Sequence, residues 1–168
     1  YDGDQVLPIT GELITAAKVF ESVTAVVVGP AGAHEPLVPQ LAALGADAIV
    51  AAVGADTVQR VVLPAADALS MLAAGAPGPI LVGAGVTGNE IAGRLAARLA
   101  SGVLCDVVQV NSDLTALMSI FGDAIEVSTA VGGSSPIYTM RHGATEVPAE
   151  PTPGAGVVST FELPAASE

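Results

Sequence analysis

The stretch "LVGAGVTGNEIAGRLAARLASG", residues 81–102, decides the fold. It passes from an apolar run ending in glycine into a helical pattern. In that helix Ile91, Leu95 and Leu99 share one face, and Arg94 and Arg98 lie on another. A strand feeding a helix is the simplest reading, and the unit recurs upstream. "VTAVVVG" (23–29), "ADAIVAAVG" (46–54) and "GPILVGAG" (78–85) are apolar on both faces. Strands of a parallel sheet covered on both sides have this pattern. Between them "EPLVPQLAALG" aligns Leu37, Leu41 and Leu44, with Pro36 suited to a first turn and Gly45 to a stop. "PAADALSMLAAG" does the same with Ala65, Leu69 and Leu72, and Gly75 closes it. Alternation of this kind predicts a doubly wound α/β sheet.

One helix lacks its strand. "GELITAAKVF" (11–20) places Leu13, Ala16, Ala17 and Phe20 on one face, yet only the polar "YDGDQVLP" stands ahead of it. After residue 102 the period changes to two. "VLCDVVQV", "LTALMSIF", "AIEVSTAV" and "PIYTMRHG" are separated by "NSD", "GD" and "GGSS", which are turn signals. These four runs predict an antiparallel meander added to the parallel half. "VPAEPTPGAG" then reads as a Pro/Gly linker, "VVSTFEL" as a last strand and "PAASE" as a polar tail.

Composition narrows the function. The 168 residues suit one domain, and 51% are hydrophobic but only 3% aromatic, so the core must be Ala, Val, Leu and Ile. The net charge is −12, and the five basic residues Lys18, Arg60, Arg94, Arg98 and Arg141 are scattered. Nucleic acid and anionic lipid need clustered Lys and Arg, so neither is an expected partner. Mean hydropathy is +0.64, but the longest apolar stretch, residues 61–86, is broken by Pro64, Asp67 and Pro77. It reads as two separate elements rather than a membrane span. A single cysteine, Cys105, excludes an internal disulfide and a multi-Cys metal site, and its apolar run predicts a buried thiol. His34 and His142 stand in separate segments, so no metal site is predicted.

Gly83, Gly85 and Gly88 are spaced as G-x-G-x-x-G, which raises a dinucleotide site. Such a site would turn on the first glycine, bring amides to a pyrophosphate at the second, and use the helix N-terminus as the anion-binding end. Three features oppose it. The unit is the third βα step, and Asp106, near the offset of a ribose-binding acid, opens its strand, where it would lie toward the far edge of the sheet. Thr87 and Glu90 have the spacing of a capping box that would satisfy the same amides. Glu90 also has Arg94 four residues on, a favourable helical pair.

Arg94 and Arg98 form a basic stripe that reads as a solvated face, with a docking face or anion site as the alternative. Ser119, Ser134 and Ser135 lack a nucleophile turn. Asp47, Asp56, Asp67 and Asp123 fall where caps and turns explain them, and Met71, Met118 and Met140 read as core. No catalytic, cofactor-binding or metal-binding residue is therefore predicted on this chain.

Several stretches in order resemble a known family: "GELITAAK", "LGADAIVAA", "GVTGNEIAGRLAARLASG" followed by "CDVV", and "FGDAIEVSTAVGGSSPIYTMRHGATE". Together, over residues 10–148, they resemble the N-terminal domain of the electron transfer flavoprotein alpha subunit. The resemblance implies a three-layer, Rossmann-like (nucleotide-hydrolase-like) domain that docks on a beta subunit. It further implies an FAD held mainly by a separate C-terminal domain, and electrons passing from dehydrogenases, such as those for acyl-CoA, to a quinone reductase. The location implied is bacterial cytoplasm or mitochondrial matrix, and the chain would carry electrons rather than act as an enzyme.

The family pattern opens with a strand ahead of the "ELITAA" helix, which is not found here, and none of its flavin-contacting motifs is present. The expected organisation is a 1–147 α/β domain followed by 148–168 as linker, strand and tail toward an FAD domain. A sheet short of one strand is expected to be poorly stable. Two alternatives remain open. One is an adenine-nucleotide module binding at the carboxyl-end loops 29–35, 54–56 and 83–90. The other is an NAD- or FAD-dependent oxidoreductase using Gly83, Gly85 and Gly88.

Overall fold

The computed structural model describes residues 1–165, so three residues of the polar tail lie outside the described residues. The elements in chain order are α1 (Pro8–Ala17), β1 (Thr24–Gly29), α2 (Val38–Leu44), β2 (Ala48–Val53), α3 (Leu63–Gly75), β3 (Ile80–Gly83) and α4 (Val86–Leu99). There follow β4 (Val103–Val110), β5 (Ala116–Ile120), β6 (Ile125–Thr129), β7 (Ile137–Met140) and β8 (Val157–Glu162). Every strand run read from the sequence forms a strand, trimmed by a few residues at its ends. The termini of the helices also follow the local chemistry. Pro8 starts α1, and Gly45, at φ 111°, closes α2 with its amide on Ala42 O.

The strands form two sheets. One is β1-β2-β8, parallel throughout; the other is β3-β7-β4-β5-β6. Helices α1 and α2 pack together, and α3 and α4 pack together. The result is a three-layer, Rossmann-like α/β fold with a mostly parallel centre. The meander is real over β4, β5 and β6, which pair antiparallel. The fourth run departs from expectation, because β7 returns between β3 and β4 and runs parallel to both. All four of its residues, Ile137 to Met140, are buried. A strand apolar on both faces is most favourable at the centre of a covered sheet, not at the end of a half-exposed meander. The Tyr138 hydroxyl is satisfied there by Leu114 O at 2.7 Å, and burial raises its pKa.

The apolar interior falls into three clusters, and α1 contributes to two of them. Ile14 joins Val27, Leu37, Leu41 and Ile49 against the first sheet. Ala16 joins Val107, Val110, Tyr138 and Met140 against the second. The third cluster joins Ala92 and Leu95 of α4 to Ile137, with Leu69 of α3 packed against it. The orphan helix of the sequence is thus the bracket between two half-sheets. Between them, the edges of β1 and β3 have no strand partner among the described residues. Ile80, Leu81, Val82 and Gly83 are all only half-buried, although β2, with neighbours on both sides, buries four of its six residues.

Two expectations are corrected by local geometry. Cys105 is exposed, not buried. Asp106 adopts φ 58° and the ladder slips between Leu104 and Val107, so the alternation inverts at that point. Met71 is 46% exposed rather than core. Met140 is core, as expected.

The segment leading to β8 is packed tightly enough to test. A Cβ on Gly154 would strike the carbonyl of Ala46 and lie 2.8 Å from Asp47 N, both backbone atoms. Gly154→Ala is expected to cost about 1–3 kcal/mol in urea unfolding. Gly132→Ala, whose Cβ meets nothing within 4 Å, should stay within about 0.5 kcal/mol.

Candidate functional site

The glycine turn joins β3 to α4, and each glycine has a physical reason. A Cβ on Gly83 would sit 2.9 Å from the Ile9 side chain. Gly85 holds φ 135° and ψ 179°, which side chains rarely allow. A Cβ on Gly88 would strike the carbonyl of Gly83, so the helix packs directly on the turn. His142 braces it by donating from Nε2 to Ala84 O at 2.8 Å.

The capping box does not form. The N-cap is Gly85, no side chain caps α4, and Glu90 lies beyond the first turn. Its carboxylate faces Arg94 instead, accepting from Nη2 at 2.7 Å and Nε at 3.1 Å. Glycine at the turn starts the helix too early for Thr87 to serve as cap. Val86 and Thr87 are exposed, so the N-terminal amides of α4 open to solvent. An uncapped helix start of this kind can hold an anion.

The ribose-acid position is also corrected. Val107 pairs with Met140, and Met140 with Gly83, so Asp106 lies level with the carboxyl end of β3 rather than toward the far edge. The long β4 carries it up the sheet. It remains two strands away, because β7 intervenes, and its carboxylate is engaged. Arg141 donates to Asp106 Oδ2 from Nη2 at 2.7 Å and Nε at 3.1 Å. The same guanidinium reaches Asp123 Oδ1 at 3.0 Å and Ser119 O at 2.8 Å. Ser119 Oγ completes the cluster by donating to Asp123 at 2.6 Å.

This four-residue network had no sequence signal. It depends on the β4 irregularity and the parallel insertion of β7, which bring residues 35 positions apart into contact.

The other singled-out residues serve structure. Arg98 reaches Asp67 at 2.7 Å, and Asp67 also takes Arg60 at 3.2 Å, so the expected basic stripe on α4 is neutralised. Arg60 also pairs with Asp56 at 3.1 Å in the loop after β2. Asp47 accepts the amide of Val23 at the start of β1. Ser135 is buried and its Oγ accepts Gly78 N. Among the described residues no cluster of three metal-ligating side chains occurs, and no helix is long and apolar enough to cross a membrane.

The Arg141 cluster sets a pH dependence. The Ser119 hydrogen bond, and then the Arg141 guanidinium, hold the Asp123 carboxyl below its ordinary value. A depressed folded pKa contributes stability that is present above the unfolded value and lost as pH falls through the folded one. Asp123→Asn is therefore expected to lower the urea midpoint at neutral pH. The gap to the parent should close as pH falls below about 4. Solvent screening keeps the effect small, because Asp123 is largely exposed and Arg141 partly so. A gap that persists or widens in acid would contradict it.

The family model described as "Electron transfer flavoprotein domain" matches residues 1–166. The electron transfer flavoprotein subunit alpha of Mycobacterium tuberculosis (strain ATCC 25618 / H37Rv) is 45% identical over 161 residues, covering 95% of this chain and 50% of that protein. The corresponding subunit of Mycobacterium leprae (strain TN) is 41% identical over 161 residues, covering 95% of this chain and 50% of that protein. The chain spans about half the length of the curated relatives it matches.

Proposed function

The chain belongs to the electron transfer flavoprotein domain family, and we propose that it is the N-terminal, subunit-docking domain of an alpha subunit. The carrying observation is the collinear match, which covers 95% of this chain but only half of each relative. In this reading the domain serves a heterodimer with a beta subunit, and FAD is held mainly by the other half of the alpha subunit. The complex carries electrons from dehydrogenases, such as those for acyl-CoA, to a quinone reductase. It works in the bacterial cytoplasm, or in the mitochondrial matrix if the source is eukaryotic. Residues 1–147 form the docking domain, and 148–168 lead toward the flavin domain through β8.

Two features support a docking role. Every arginine has a carboxylate partner within 3.2 Å among the described residues, so the guanidinium groups are engaged within the chain. Phe121 is 78% exposed at the turn between β5 and β6, with Ile125 half-exposed beside it in sequence. Large apolar groups presented on a hairpin suit a protein partner.

The open α4 N-terminus favours a second reading, an adenine-nucleotide module at the 83–90 turn, with 29–35 and 54–56 as the neighbouring carboxyl-end loops. Calorimetric titration of the 168-residue chain with FAD, NAD, AMP and ATP separates the two. No saturable binding is expected, whereas the full alpha subunit purified with its beta subunit should carry flavin absorbance. Phe121→Ser should weaken capture of the beta subunit at least tenfold without lowering the melting temperature. Saturable FAD or nucleotide binding by the 168-residue chain would overturn the docking-only reading.

A further inference from the structure

The turn between β5 and β6, residues 121–124, is strained and yet fastened down. Phe121, Gly122 and Asp123 hold φ of 54°, 65° and 64° in succession. Glycine takes the left-handed region freely, but a bulky aromatic is an outlier there. Phe121 is also 78% exposed, whereas Phe20 and Phe161 are half-buried. A hairpin needed only to reverse the chain would place small or polar residues in this turn. Strain of this kind persists only where surrounding contacts over-determine it.

Arg141 supplies those contacts. Its guanidinium donates from Nη1 to Asp123 Oδ1 inside the turn at 3.0 Å, and from Nη2 to Ser119 O ahead of it at 2.8 Å. Ser119 Oγ donates to the same Asp123 oxygen at 2.6 Å. The other side of Arg141 is rooted in the sheet. Its amide donates to Val107 O at 2.8 Å, and Asp106 Oδ2 accepts from Nε and Nη2. The Asp106 amide in turn donates to the hydroxyl of buried Thr139 at 2.9 Å.

We propose that Arg141 is the positioning residue of a docking knob: it locks the 121–124 turn so that Phe121 enters an apolar, basic-rimmed pocket on the beta subunit. This rests on the docking reading above and adds the chemistry that the partner surface must have. An aromatic anchor held in place before binding loses little entropy when it is buried. Around it, Asp106, Asp123 and Glu126 set three negative charges against the single positive charge of Arg141. Glu126 is exposed and pairs across the hairpin from Ser119. A pocket that receives this corner must be apolar within and carry Lys or Arg at its rim. A second copy of this chain, with the same net charge of −12, would be repelled.

The test is a double-mutant cycle in the full alpha subunit, titrated with the beta subunit. Arg141→Gln is expected to weaken binding about tenfold when Phe121 is present, but less than about twofold in a Phe121→Ser background. A merely structural role would cost the same in both. Asp123→Asn, a milder change that keeps Arg141 on Asp106, should follow the same pattern at about threefold. It carries the test if Arg141→Gln melts too low to bind. Glu126→Lys should slow association at low salt and lose that effect at about 1 M salt, where screening reaches only about 3 Å.

Equal losses with and without Phe121 would overturn this proposal alone, as would an association rate indifferent to Glu126→Lys. Failure of the parent alpha subunit to hold the beta subunit would overturn the docking reading as well.

Discussion

The structure depends on a single helix satisfying two sheets at once. Helix α1 has no strand of its own beside it, yet Ile14 buries against β1 and β2 while Ala16 buries against β4 and β7. Helix α3 does the equivalent on the other face, through contact with β1 and with α4. Together they hold the two sheets side by side, with β1 and β3 at sheet edges among the described residues. Buried surface on the two helices sets the architecture.

The same tension explains why residues that should be core are only half-buried. Leu81 and Val82 have the composition of a central strand, and β7 covers one side of them. What they lack is a neighbour on the other. A parallel sheet distributes burial through adjacent strands, so one gap leaves two strands and two helix faces partly wet. The tightly built regions lie away from it, around β7, where Tyr138 and Thr139 are buried and hydrogen-bonded.

Each glycine of the turn between β3 and α4 has a steric or backbone reason of its own. Gly83 makes room for Ile9, Gly85 supplies a backbone angle, and Gly88 lets α4 touch the carbonyl before it. Those are the steric duties glycines perform in a dinucleotide fold, and the helix start is open as it would be there. The difference lies in strand order. The strand after α4 pairs with β7 instead of β3, and its acidic residue is tied to Arg141. A motif defined by spacing cannot distinguish these cases, because spacing does not encode which strand lies next.

Local periodicity determined what this chain could determine by itself: each strand and helix, their alternation, and the family to which the stretches around "EIAGRLAARL" point. These properties follow from which faces are apolar over five to fifteen residues, a scale at which burial alone selects the conformation. Tertiary structure decided the rest. It placed β7 in the sheet centre, turned Cys105 outward at the Asp106 irregularity, gathered Asp106, Ser119, Asp123 and Arg141, and left the α4 N-terminus uncapped. Each of these depends on strand order and register, which are settled by contacts between residues far apart in the chain. No window of sequence contains both sides of such a contact.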